Sequence, residues 1–582
     1  MRTSIIIITL IVILILSLFL NSWGIKYGLP DKLYPDEGRI VNHALAFGMG
    51  DLNPHYFHYP ALSMYLLFIL YGSYYIAGYL GGFFQSPNDF QLLFFSNPTS
   101  FYLIGRFWIS LTGVAVIAAI FCLAKQVLRN KRAALLASLT IATLPYFVFY
   151  CHFIVNDPLL LLFILLSYIY IIKISHTGKM SAYATAGIFA GLGTATKYSP
   201  VILIIPIIVA HILFLRSKQE KLSFRALFWP PFVAGGLLVL VFFLASPFCF
   251  IDYSNFLESL KFRENLGHVH TFGTKTGTAW FIYVKYLFQH RFLIFNRFDP
   301  LGIILLGGII WTICRRRKSE LLLLIFPAII YIIIGRWSFG RLPYALLLVT
   351  FLTIPGAGLI IDLFDRIKGS SSSILRSCGP ILLWGFVGIT IIFNLVNSIL
   401  MDIKLSHEDT RTLAREWVES TIPPGTKIAI EWDTEATVQL WESPDTIQRK
   451  INGYDSGDKK TIHHPSDQMS KIHQMRLDSV PSTNYDIIRM GEMIGTKIEP
   501  INYSLDKLIQ DKVTYIISSS EISWIFHTPI AAEMYPEQVE FYRRLKNESE
   551  LIKEFSPDRS FNLGPKIKIY RLTPPEDKTQ TL

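Results

Sequence analysis

Two adjacent carboxylates stand in the stretch Tyr34-Pro35-Asp36-Glu37-Gly38-Arg39, a short way beyond an apolar run that covers residues 5–20. Paired acids can do what a single one cannot. One accepts a proton while the other holds a partner or a metal, and a low local dielectric raises a carboxyl pKa toward neutrality. The same residues also read as a solvated interfacial pair, or as a helix start with Asp36 capping residues 39–47. A third acid, Asp157, sits in the eight-residue stretch 150–157 between two apolar runs. Asn156 or Asp157 can cap a helix with Pro158 at its first position, and an acid so close to a membrane is also a functional candidate. Lys197 interrupts the apolar stretch Gly191-Leu192-Gly193-Thr194-Ala195-Thr196-Lys197. It can snorkel, or it can neutralise a phosphate at the membrane surface. Arg39 could do the latter through its planar fork.

Further basic residues lie in 246–298: Arg263, Lys275, Lys285, Arg291 and Arg297, with His268, His270 and His290. Glycines flank the polar segment 267–274, as suits a mobile lid. His268 and His270 have a spacing that metal ligands use, but no further ligand set stands near them.

These residues need a membrane to position them. The chain has 582 residues, of which 51% are hydrophobic and 17% charged, with a mean hydropathy of +0.40. Soluble chains carry about a quarter charged residues, so a water-soluble or disordered protein is excluded. The net charge of +11 divides unevenly. Residues 1–400 hold 31 Lys and Arg against 14 Asp and Glu, and residues 401–582 hold 23 against 29. A basic apolar part joined to an acidic polar one indicates a membrane domain with an external domain, not a nucleic-acid binder.

Apolar runs follow the N-terminal one at 61–80, 101–124, 133–149, 158–174, 181–196, 199–215, 227–245, 299–313, 320–335, 343–361 and 380–400. If 61–80 crosses, the clusters Lys125/Arg129/Lys131/Arg132 and Arg315-Arg316-Arg317-Lys318 fall outside, against the positive-inside rule. If it lies along the outer face, 18 of the 31 basic residues fall inside with four acids. Tyr65, Tyr71, Tyr74, Tyr75 and Tyr79 suit such an interfacial helix. The expectation is therefore 11 crossings, an uncleaved N-terminal anchor with its end in the cytoplasm, and a multi-pass protein of the cell membrane. Segments 21–100, 150–157, 246–298 and 401–582 then share the outer side.

The five cysteines all precede residue 400 and show no metal or redox spacing. Residues 401–582 lack cysteine altogether, so that part holds together by its core. Its pattern predicts a helix at 408–420, strands at 427–432, 512–518 and 566–572, and a helix at 536–546, with 450–485 irregular. It carries no glycine-rich phosphate loop, nucleophile elbow or His/Cys site.

Taken in order, these features resemble the glycosyltransferases of family 39, which have the GT-C fold. That group includes protein O-mannosyltransferases and the aminoarabinose transferases that modify lipid A. The resemblance rests on Asp36-Glu37 with Arg39, the Tyr59-Pro60 juxtamembrane helix, Asp157-Pro158, the stretch Gly191 to Lys197, and Arg341-Leu342-Pro343-Tyr344. It covers roughly 1–400, with Ile422-Pro423-Pro424-Gly425 and Gly564-Pro565-Lys566 similar to the group's outer domains. Family members commonly carry Lys or His before the juxtamembrane proline. Here that position is Tyr59, with His58 one residue earlier as a stand-in.

The resemblance implies a polytopic α-helical membrane protein of GT-C type (1–400) with a C-terminal extracytoplasmic α/β domain (401–582). It implies transfer of a sugar, with inversion, from a polyprenyl-phosphate donor to a glycan, lipid or protein acceptor. Asp36 is the expected base, with Glu37 and Asp157 orienting the reactants. Arg39 and Lys197, with Arg291 or Arg297 from the lid, are expected at the donor phosphate, and His58 and Tyr59 on the acceptor or juxtamembrane side. A divalent cation is allowed but no ligand set demands one. A transporter of lipid-linked material is the competing class. It would place charges at the bilayer midplane and show an internal repeat, and the sequence does neither.

Overall fold

The structure is a computed structural model, and it describes residues 3–217, 223–268, 278–289, 298–432, 434–455, 466–494, 497–528, 533–558 and 563–572. The first half is helical. Helix α1 spans Thr3–Ser22, and a non-helical stretch leads to α2 (Pro35–Ala46), α3 (Leu62–Leu80), α4 (Pro87–Ser96) and the long α5 (Thr99–Leu128). Then come α6 (Lys131–Ala142) and α7 (Pro145–Cys151), bent by 65° at Thr143-Leu144. Pro145 has no N–H to continue the ladder, which places the break there. Helices α8 (Asn156–Thr177), α9 (Met180–Thr194), α10 (Ile204–Leu215) and α11 (Phe224–Ala245) follow. The segment after them holds α12 (Phe248–Ile251), α13 (Tyr253–His268) and α14 (Trp280–Tyr286). The bundle closes with α15 (Leu301–Arg315), α16 (Lys318–Gly335), α17 (Leu342–Lys368) and α18 (Ser373–Leu405).

Among the described residues, eight helices are long and apolar enough to cross a bilayer, or nine if α6 and α7 form one bent span. The expected set of 11 also counts shorter apolar helices, such as α10 with the turn before it and α15. Helix α9 packs between α8 and α11. Added Cβ atoms on Gly187 and Gly191 would lie 2.3 and 2.7 Å from backbone oxygens of α11, so only glycine permits this approach.

Helix α3 meets the length criterion for crossing, yet both its ends stay on one side of the bundle. Its first turn is tied to the ends of α9 and α11, with Leu62 N–H donating to the Ala195 carbonyl and Ala61 N–H to Ser246 Oγ. Its second half meets the start of α5, where Tyr71 and Tyr74 pack on Phe101 at 5.5 and 5.8 Å between ring centroids. A crossing helix would have its first half at the far end of α5, whereas Leu67 of that half lies against Gly105 near the start of α5. At that far end the basic clusters gather: Arg132 pairs with Asp365, Arg315 with Asp362, and Ser319 with His176.

The C-terminal part begins with α19 (Thr410–Thr421) and contains a five-stranded sheet. Its strands are β1 (Lys427–Ile430), β2 (Asp486–Arg489), β5 (Tyr515–Ser519), β6 (Glu550–Phe555) and β7 (Ile567–Arg571), in spatial order β2-β1-β5-β7-β6. A separate hairpin joins β3 (Gly491–Ile494) to β4 (Lys497–Pro500). Strand β1 runs parallel to β2 and β5, and β7 runs antiparallel to β5 and β6. The stretch 450–485, expected to be irregular, contains the second half of the helix Pro444–Asp455 and the helix Ser466–Leu477. Their polar composition hides a one-sided apolar pattern (Ile447 and Ile451 are buried) that only the sheet's presence makes useful.

This domain is fixed to the segment between α1 and α2. Arg415 Nε lies 2.7 Å from Asp31, Thr412 Oγ1 donates to the same carboxylate at 2.7 Å, and Tyr27 donates its hydroxyl to Asp409. The bundle face that bears the domain also carries α2, α3, the 150–157 stretch and Lys197.

Candidate active site

Helix α2 starts at Pro35, whose fixed φ suits the first helical position, and puts Asp36 and Glu37 in its first turn. The two acids have opposite environments. Glu37 is fully buried, and its carboxylate accepts from Arg106 Nε at 2.8 Å, Arg106 NH2 at 2.6 Å and the Ile154 backbone N–H at 2.9 Å. Arg106 gives its remaining nitrogen to the carbonyls of Ile25 and Tyr27, at 2.7 and 2.8 Å. One buried carboxylate thus joins α2, α5, the 23–34 segment and the 150–157 stretch. These bonds make Glu37 a residue that positions α2.

Asp36 is half-exposed, and its nearest cation is Arg39 at 3.9 Å, one helical turn on. At that distance and exposure the pair is weak, so both groups remain open to a ligand.

Asp157 is buried in the first turn of α8 and holds Lys197 Nζ at 2.7 Å. Lys197 lies just past α9 and is itself buried. Burial pulls its pKa down, but the Asp157 carboxylate outweighs this and keeps the ammonium charged. The ammonium sits 5.7 Å from the ring centroids of both Tyr59 and Tyr344, a cation–π arrangement. Tyr344 belongs to the first turn of α17, so the Arg341-Leu342-Pro343-Tyr344 stretch reaches the same place. Tyr59 thus stands beside Lys197, one of the two cations expected at the donor phosphate.

His58 stacks on Phe262 of α13 at 4.7 Å, and Phe57 and Tyr198 pack on Phe256 of the same helix. This covers the juxtamembrane turn with part of the 246–298 segment. Lys197, rather than His58, is the cation beside Tyr59. Arg291, Arg297 and His270 lie outside the described residues, as does the side chain of His268. Among the described residues, no three His, Cys, Asp or Glu side chains converge as metal ligands.

The structure therefore brings Asp36, Arg39, Tyr59, Lys197 and Asp157 to one face and gives Glu37 a supporting role. It adds three residues that the sequence reading passed over. Arg106 did leave a signal, a lone charge inside an apolar run. Tyr102 and Glu435, which approach α2 from α5 and from the C-terminal domain, left none, because each looks ordinary among its own neighbours.

Residues 96–249 match the protein family described as dolichyl-phosphate-mannose-protein mannosyltransferase. No curated protein sequence matches the chain. Among solved structures, the chain is similar to ArnT from Cupriavidus metallidurans in the apo state. The identity is 13% and the TM-score 0.51, over 97% of this chain and 98% of that one. It is also similar to the apo oligosaccharyltransferase of Archaeoglobus fulgidus, at 13% identity and a TM-score of 0.49, over 90% of this chain and 70% of that one. The ArnT likeness runs the length of both chains and the family match covers α5 to α12, so the architecture is that of the GT-C glycosyltransferases.

Proposed function

We propose that this chain is a membrane glycosyltransferase that moves a sugar from a polyprenyl-phosphate donor to an acceptor on the extracytoplasmic face of the cell membrane. The observation that carries the reading is the contrast among the three acids. Glu37 and Asp157 are occupied by Arg106 and Lys197, while Asp36 stays open beside Arg39 at the bundle edge. The family matched by residues 96–249 is named for a dolichyl-phosphate sugar donor, which fits a lipid-borne phosphate arriving at that edge.

The chemistry follows from these placements. The acceptor oxygen attacks the anomeric carbon from the side opposite the phosphate, and its proton passes to Asp36. The bond from the anomeric carbon to the phosphate oxygen breaks, and its electron pair leaves with the lipid phosphate. Attack from the opposite side inverts the configuration. Negative charge grows on the leaving phosphate, and Arg39 and Lys197 are placed to stabilise it. Lys197 can serve this role only because Asp157 keeps it charged in a buried position and fixes its direction.

The test is a transfer assay with purified protein, a polyprenyl-phosphate hexose or pentose and extracted envelope acceptors. Wild type should form a glycosylated product with inverted anomeric configuration. Asp36→Asn should lose at least about a hundredfold in rate, the usual worth of a general base, while eluting and melting as wild type does. Full activity in that variant would sink the base assignment.

A further inference from the structure

His152 caps the end of α7, inside the 150–157 stretch. It and Asp402, in the last turn of α18, are 1% and 0% exposed. Both ring nitrogens of His152 face backbone carbonyls, with Nδ1 2.8 Å from the Val148 oxygen and Nε2 2.7 Å from the Trp23 oxygen. A carbonyl oxygen only accepts, and a neutral imidazole has a single N–H to give. The neutral ring would therefore press a lone pair against one of the two oxygens. The imidazolium donates to both.

A buried positive charge needs one of opposite sign beside it. Asp402 Oδ1 lies 3.5 Å from His152 Nε2, and neither oxygen of that carboxylate has a hydrogen-bond partner among the described residues. The last turn of α18 is pressed close to the 23–34 segment. A Cβ on Gly24, which has φ +86°, would lie 2.8 Å from the Leu405 Cβ and 3.1 Å from the Asp402 carbonyl oxygen, so a side chain there would force the two apart. Arg106 of α5 also acts on His152, but its guanidinium is taken up by Glu37 and two carbonyls. The Asp402 carboxylate thus has the imidazolium as its counter-ion. Together they hold one proton more than a neutral imidazole and a carboxylate would.

We infer that the His152 imidazolium, balanced by Asp402, is a positioning residue for the transfer, because it ties together the two stretches of chain that seat the Glu37–Arg106 pair. This role rests on the transferase function proposed above. On one side His152 grips the Trp23 carbonyl, just ahead of the Ile25 and Tyr27 carbonyls that receive Arg106. On the other it stands just before Ile154, whose backbone N–H donates to Glu37. Both tethers converge on Glu37, and so on the first turn of α2, where Asp36 lies. A neutral ring keeps one carbonyl and lets the other go, which slackens one of the tethers. His152 and Asp402 touch no reactant and act through the backbone they hold.

The proton is tested apart from the transfer reaction, on the full-length protein in detergent. Nitrogen NMR of isotope-labelled histidine should show a ring with both nitrogens protonated at about pH 8, where exposed imidazoles have lost that proton. His152→Asn and Asp402→Asn should each remove the signal. Absence of such a ring from wild type, or its survival in either variant, overturns the inference. Asp402→Asn keeps the shape of the side chain but removes the counter-ion, so it should melt several degrees below wild type at about pH 6. Folded wild type alone carries the extra proton, so it loses stability as pH rises, and the gap should narrow toward about pH 9. A variant as stable as wild type, or a gap that does not change with pH, overturns the charged pair. In the transfer assay, folded Asp402→Asn should lose about tenfold in kcat and keep both KM values within about twofold, as when the base is displaced but the substrates still bind. An unchanged kcat overturns the positioning role. Failure of wild type to transfer, with the imidazolium present, would instead overturn the transferase reading.

Discussion

Arg106→Leu removes four hydrogen bonds at once. Two go to the Glu37 carboxylate at 2.8 and 2.6 Å and two to the carbonyls of Ile25 and Tyr27 at 2.7 and 2.8 Å. Arg106 and Glu37 are 1% and 0% exposed, so water cannot replace what is lost. Removing one partner of a buried pair costs about 3–5 kcal/mol, because the other charge is left uncompensated. Each buried carbonyl left unpaired costs about 1–3 kcal/mol more where it cannot relax toward another donor. The total is roughly 5–11 kcal/mol where neither carbonyl relaxes and about 3–5 kcal/mol where both do, a large share of the ~5–15 kcal/mol that holds most folds. The double variant Glu37→Leu/Arg106→Leu also removes the stranded charge. It should fall short of the sum of its single variants by at least about 2 kcal/mol. The measurement is unfolding of detergent-solubilised protein followed by intrinsic tryptophan fluorescence, with all four corners of the cycle. A loss below about 1 kcal/mol for Arg106→Leu, or simple additivity in the double variant, would refute the account of Glu37 as a positioning residue.

Other expectations follow from the same geometry. Asp157→Asn takes away the charge that keeps Lys197 protonated, leaving burial to pull its pKa down. The alkaline limb of the transfer rate should move to lower pH, which a pH–rate profile reads directly; an unmoved limb contradicts a role for the Lys197 charge. In the C-terminal domain, the buried Glu431 carboxyl accepts from Ser518, Ser519 and Tyr542, yet burial pushes its pKa up from 4.5 to about 7. The folded state then holds a proton that the unfolded chain has already released, so this contribution is complete below about pH 4.5 and is lost as pH rises through about 7. The loss is on the order of 3 kcal/mol at about 1.4 kcal/mol per pH unit. Glu431→Gln should flatten that part of the melting temperature's pH dependence, and an equal slope in the variant would point to another group.

The helical half was largely legible because the bilayer demands long apolar runs, and the runs are unbroken. The tyrosines of 61–80 set α3 apart from the other apolar runs in composition, since rings at one membrane level leave such a trace. Pairings were not legible. Asp157 and Lys197 each stood out alone, but nothing in the sequence says that residues 40 positions apart meet at 2.7 Å. Nor does anything there say that Glu37 meets Arg106, 69 residues on. In the C-terminal domain the central strands β1, β5 and β7 were visible as apolar clusters. The edge strands β2 and β6 were not, because half-exposed strands such as Glu550–Phe555 carry charges that read as loop or helix.

The segment between α1 and α2 has a consequence for biogenesis. Its carbonyls at Ile25 and Tyr27 seat Arg106 of α5, while its Asp31 and Tyr27 wait for Arg415, Thr412 and Asp409. The ribosome makes this segment nearly four hundred residues before its last partners. Until residues 409–415 emerge, the first loop carries a carboxylate that lacks its guanidinium partner. A chain interrupted before that point would leave Asp31 without Arg415 and Thr412.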